Sequence, residues 1–264
     1  MRLLWKLAGG IRAASAHRDF VKKIAGRGGR AGLFAVPNHG QLSPPPADRR
    51  ETVIAVTLFV ALLGFSLWGV GVGWRSMNLP GCEFRQTQTA VSAFFIQKEH
   101  NFSLAYPTPV LGKPWSIPME FPLYQWTVVG VSNTTGMALT QAGRAVSAVC
   151  FYLGLPAVYL LLARLGLGRS RRLLALGFIL CCPLYVFYAR AFLIETMATM
   201  FGVWFMLAYV RAVDQRSVGW LLLAIFTGVG CGLVKVTTYM FFLFPAFIWT
   251  LRVMSYHTWW FAVV

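Results

Sequence analysis

Three carboxylates, Glu83, Glu120 and Glu195, and four cations, Arg85, Lys113, Arg190 and Lys235, are the residues of this 264-residue chain whose types and spacing suit chemistry. A carboxylate serves as a general base, and a cation beside it steadies an anionic group. Glu195 is the most informative of the set. It lies in the apolar stretch FLIETMATMFGVWFMLAYV, where an ionised group is costly unless paired or hydrated and is functional by default. Arg190 precedes it by five residues, and Lys235 interrupts a later apolar stretch at the same expected depth. Two cations and a carboxylate are therefore expected to converge from neighbouring segments. The competing reading is an internal ion pair that only pins helix packing.

The other charges divide between roles. Glu83 precedes an expected helix, where a carboxylate also favours the N-terminal dipole, so catalysis and capping both fit. Glu99 in QKEHN reads as a solvated helix end. Lys113 and Arg144 also fit as interfacial anchors. The five cysteines show no paired metal spacing, and four of them lie in apolar runs, as small core residues do. NFS at Asn101 and NTT at Asn133 match the glycosylation sequon, a short pattern.

The elements that must position these groups follow from composition. With 57% hydrophobic and 12% charged residues, the chain has too little polar surface to coat a soluble globule. The net charge of +16 raises the question of nucleic acid. Ten of the 24 basic residues precede Glu51, however, and most others flank apolar runs, the distribution expected beside anionic lipid. No nucleic-acid partner is expected.

Residues 1–50 form a basic tail, whose opening MRLLWKLAGGIRAASAHRDFVKKI suits an interfacial helix or a frayed end. Residues 51–264 read as a transmembrane domain. Apolar runs predict spans at Thr52–Trp74, Ala145–Ala163, Leu173–Ala189, Ala191–Val210, Val218–Val234 and Tyr239–Leu251, the last two as a hairpin broken at Lys235. With the N-terminus in the cytoplasm, 17 of the 24 cations fall inside, as the positive-inside rule requires. Residues 75–144 then form an outer loop. Within it, Phe84 to Lys98 predicts an amphipathic helix on the membrane, with Thr87, Val91, Phe94, Phe95 and Lys98 at helical spacing. The Pro-rich section AYPTPVLGKPWSIPMEFPLYQW is expected to be extended, with Trp115, Tyr124 and Trp126 at the interface. The last apolar run, Trp259 to Val264, reads as an unfinished helix of a C-terminally truncated chain. The expected fold class is all-α: a polytopic transmembrane helix bundle whose outer loop carries an amphipathic interfacial helix.

In this order of elements the chain resembles the N-terminal half of the GT-C membrane glycosyltransferases, nearest to protein O-mannosyltransferases and lipid A aminoarabinose transferases. EFRQTQTA at Glu83–Ala90, MEFPLYQW at Met119–Trp126, ARAFLIETMATMF at Ala189–Phe201 and GLVKVTTY at Gly232–Tyr239 carry the likeness. The resemblance implies catalytic roles for Glu83, Glu120 and Glu195, and substrate-binding roles for Arg85, Lys113, Tyr124, Arg190 and Lys235. Two departures stand out: one Glu in the first loop, with Gln88 where relatives carry Asp, and Glu120–Tyr124 without the family's lysine, for which Lys113 is a substitute.

The resemblance implies transfer of a sugar from a polyprenyl-phosphate donor to a hydroxyl of a protein or glycolipid acceptor, at the outer face of a bacterial inner membrane and among membrane lipid. Phosphate leaves readily, so one general base suffices, while Arg85, Arg190 and Lys235 steady the developing charge. No cofactor and no metal ligand set is expected, and a divalent metal requirement stays open. A transporter or flippase-like lipid-binding protein is the rival class; it predicts midplane ions and inverted repeats, and the sequence shows no repeat. An inactive, truncated glycosyltransferase is the third.

Overall fold

The computed structural model describes residues 49–76, 81–106, 108 and 120–255. The basic tail with its interfacial helix, Lys113 and Trp115 of the Pro-rich section, and the run Trp259 to Val264 lie outside the described residues. Among the described residues the protein is all-α, with nine helices. These are α1 (Arg49–Gly71), α2 (Glu83–Glu99), α3 (Leu123–Thr135), α4 (Leu139–Arg164), α5 (Arg169–Cys181), α6 (Pro183–Arg190), α7 (Glu195–Gln215), α8 (Val218–Val234) and α9 (Val236–Ser255).

Helices α1, α4 and α7 are long and apolar enough to cross a membrane, and the bent pair α5–α6 makes a fourth candidate span. Helices α8 and α9 are shorter apolar segments. The chain is an integral membrane protein. Helix α7 packs between α4 on one side and α8 with α9 on the other, and α1 lies against α5 and α6. Small residues permit this closeness, as in membrane helix pairs generally. On α8, a Cβ at Gly228 would meet Phe205 at 3.0 Å and one at Gly230 would meet Phe201 at 3.1 Å. The Cys231 thiol also donates to the Ala198 carbonyl at 3.2 Å.

Three expectations need correction. The run expected as one helix over Leu173–Ala189 breaks at Cys182 into α5 and α6, bent by 63°. Pro183 is the cause: it lacks a backbone N–H and pushes the residue before it out of the helical region, and Cys182 sits at φ −66°, ψ 118°. The span expected from Ala191 starts as a helix only at Glu195; Ala191 to Ile194 form a buried, non-helical connector. In the loop after α1, the Pro-rich section expected to be extended as far as Trp126 is helical from Leu123, where α3 begins.

The loop also contains a helix that periodicity did not single out. In α3, buried Tyr124, Gln125, Val128, Val129 and Ser132 follow a helical stripe that starts just after Pro122. The amphipathic helix is present as α2. Its buried face is Gln86, Gln88, Thr89, Ser92, Ala93 and Ile96, while Phe84 and Phe94 of the opposite side are exposed. Aromatic rings left outside on such a helix suit contact with lipid.

Candidate active site

Glu195 opens α7 because the connector before it is held from three helices. The Gln86 amide oxygen of α2 accepts the Phe192 N–H at 2.9 Å. The Phe192 ring meets Tyr124 of α3 edge-on, with centroids 5.9 Å apart, and fills the notch at Gly143 of α4, where a Cβ would lie 2.2 Å from it. The Ser147 hydroxyl donates to the Leu193 carbonyl at 3.2 Å. Glu195 therefore begins its helix from a rigid footing, in the first turn where the helix dipole favours a carboxylate.

Lys235 meets it from the break between α8 and α9. The backbone there is extended (φ −159°, ψ 101°), yet the Lys235 N–H still donates to the Cys231 carbonyl at 2.9 Å and caps α8. Lys235 Nζ donates to Glu195 Oε1 at 2.7 Å. Both side chains are about three-quarters buried, at 26% and 22% exposure. Glu195 Oε2 is buried and has no hydrogen-bond partner among the described residues. Half of this carboxylate is thus neutralised by an ammonium, and the other half is left to accept a proton or a hydrogen bond.

On the far side of Lys235 opens a cleft of about 740 Å³ between α2, the start of α3 and the α8–α9 break. Arg85, Glu120 and Lys235 all line it. Arg85 donates to Glu120 Oε1 at 2.8 Å and to Gln88 Oε1 at 3.1 Å. The Tyr106 phenol donates to the Glu120 carbonyl at 2.7 Å and fixes the turn that carries the carboxylate.

The structure thus joins Glu195 to Lys235 and brings Lys235 into one cleft with Arg85 and Glu120. It does not bring in the remaining residues. Glu83 is exposed at the start of α2, without a side-chain partner among the described residues. Arg190, expected to converge on Glu195, instead turns to the end of α1 and donates to the Gly69 carbonyl at 3.4 Å. Arg144 binds the Gly73 and Trp74 carbonyls beside it. Both arginines thereby satisfy carbonyls where α1 ends, which is where the dipole favours cations. Tyr124, expected at an interface and on a substrate, is fully buried. Its hydroxyl donates to the Gly143 carbonyl at 2.8 Å and lies 2.8 Å from Ser147 Oγ, and burial pushes its phenol well above the ordinary range. It supports the connector from beneath. Lys113 lies outside the described residues.

Gln86, Gly143, Ser147 and Phe192 are the positions that sequence reasoning missed. A polar Gln86 on the buried side of α2 was the available signal, since a buried amide needs partners. Among the described residues no three His, Cys, Asp or Glu side chains group together. Of the four cysteines expected in the core, Cys150 and Cys231 are buried and Cys181 and Cys182 are half-buried; Cys82 is exposed, and the described cysteines are free thiols.

Helices able to cross a membrane and a partly buried Glu195–Lys235 pair beside a cleft fit a membrane glycosyltransferase of the GT-C type. Residues 88–263 match the family described as dolichyl-phosphate-mannose-protein mannosyltransferase, and the chain belongs to that family. No curated protein and no solved structure matches the chain significantly.

Proposed function

We propose that the protein transfers a sugar from a polyprenyl-phosphate donor to a hydroxyl acceptor, at the outer face of a bacterial inner membrane into which its basic N-terminus does not cross. The observation that carries this reading is the Glu195–Lys235 pair, which puts a base beside a cation that lines a large cleft together with Arg85 and Glu120. Lys235 and Arg85 face the leaving phosphate, and Glu195 takes the proton of the attacking hydroxyl. Glu120 orients Arg85 through their 2.8 Å contact. Glu83 has no part in the proton transfer. The donor's chain lies among the spans, so the phosphate reaches the cations at the membrane boundary and not at its centre. Residues 51–264 act as one transmembrane unit in this scheme.

Transfer from a labelled polyprenyl-phosphate sugar, measured with the protein in native membranes, tests the assignment. Glu195→Gln is expected to lower the rate by about two to four orders of magnitude, the usual contribution of a general base. Glu120→Gln is expected to have a smaller effect and Glu83→Gln almost none. An unchanged rate for Glu195→Gln overturns the reading.

A further inference from the structure

Two consecutive residues of α2 reach the two carboxylate-bearing segments of the site. Arg85 holds Glu120 at 2.8 Å on the side of the cleft. Gln86, about 100° further round the helix, turns inward and is only 2% exposed. Its amide oxygen accepts the Phe192 N–H at 2.9 Å, and its amide nitrogen donates to the Gly81 carbonyl at 2.5 Å. One side chain therefore spans from the turn before α2 to the connector, three residues ahead of Glu195. Both anchors are fixed. Gly81 has φ +75°, a conformation that favours glycine, and a Cβ there would lie 2.8 Å from the Phe187 ring of α6. Phe192 is fully buried, with its ring against Tyr124.

The chemistry of the amide explains why glutamine stands here. It alone of the neutral long side chains accepts at one atom and donates at another, so it can satisfy a backbone N–H and a backbone carbonyl at once. An apolar residue of the same length would leave both groups short of a partner, at the cost of burying them unpaired. We infer that Gln86 is a positioning residue: it is the strut that holds the connector, and so sets Glu195 against Lys235, at a fixed separation from Arg85 and Glu120. Helix α7 starts at Glu195, so a shift of the connector moves the carboxylate directly. The 2.7 Å contact to Lys235 Nζ tolerates little of that movement, and Lys235 carries it into the cleft. The effect on rate rests on the proposed transfer, whereas the effect on the ion pair does not.

Ion pair and transfer are read separately on the full chain in lipid nanodiscs. A small acylating reagent is added, and acylation of Lys235 is followed by mass spectrometry, with exposed Lys98 as the internal reference. The Lys235 amine reacts when it leaves Glu195, so Glu195→Gln is expected to raise the rate about tenfold, the equivalent of one hydrogen bond between charged groups. Gln86→Met keeps the bulk and loses both bonds; Gln86→Asn keeps the amide but is one methylene too short to reach both anchors. Each is expected to raise Lys235 acylation about threefold, the worth of one neutral hydrogen bond, and to add nothing in the Glu195→Gln background. Transfer should follow the same pattern, with a loss in the Gln86 variants that disappears in that background. Wild-type acylation of Lys235 in Gln86→Met or Gln86→Asn overturns the inference. So does a further rise when either is combined with Glu195→Gln, because a general loosening adds where a strut acting through Glu195 does not. The expected acylation pattern together with full transfer by Glu195→Gln supports the strut and removes the transfer reading alone.

Discussion

Both ends of α7 carry a carboxylate bridged to a cation from a neighbouring segment, and the two bridges differ in how exposed the cation is and in what surrounds the carboxylate. At the first turn Glu195 meets Lys235; at the last, Asp214 meets Arg164 of α4. Arg164 is half exposed, at 50%, whereas Lys235 is 26% exposed. Glu195 lines one cavity and its partner Lys235 another, one Glu195 oxygen is unpartnered among the described residues, and the connector before it is held by three helices. Asp214 sits at a helix end of unfavourable dipole sign and is bridged by a cation from the end of α4. An ion pair by itself is therefore a weak sign of function, and access to a cavity with an unsatisfied oxygen is the stronger one.

The largest effect that would sharpen this contrast is expected from Lys235→Met. It removes the cation facing the cleft, and transfer should fall by about 10² to 10³, the scale of losing one charge-stabilising donor. Lys235→Arg should restore part of the rate, as measured in the same membranes. Next is Gly143→Leu, which drives a side chain into the Phe192 ring and displaces the connector without touching the ion pair. It should destabilise by about 1–3 kcal/mol, read as a lower detergent-solubilised melting temperature, and reduce transfer as well. The smallest effect is expected from Asp214→Asn at the opposite end: at most about 1 kcal/mol in stability, since its partner is exposed, with the transfer rate kept. A loss there comparable to that of Lys235→Met would erase the distinction between the two ends.

Much of this was legible in sequence. Apolar run lengths located α1, α4 and α7, the polar interruption at Lys235 marked the α8–α9 break, and a lone acid in an apolar stretch singled out Glu195. The sequence offers Arg190 and Lys235 alike as partners of Glu195, because spacing along the chain favours Arg190 while the connector turns that side chain toward α1. Tyr124 and Gln86 were misread or missed for a related reason. Whether a polar group on a short helix faces water or a neighbouring helix depends on contacts between α2, α3 and α4, which no single segment encodes.

The most direct measurement is a double-mutant cycle on transfer with Glu195→Gln, Lys235→Met and the two combined. If the pair works as one unit, the combined variant should be nearly as active as the worse single variant, because residues acting together lose their effect together. Losses that multiply as for independent sites, or single variants that keep the full rate, would contradict the account.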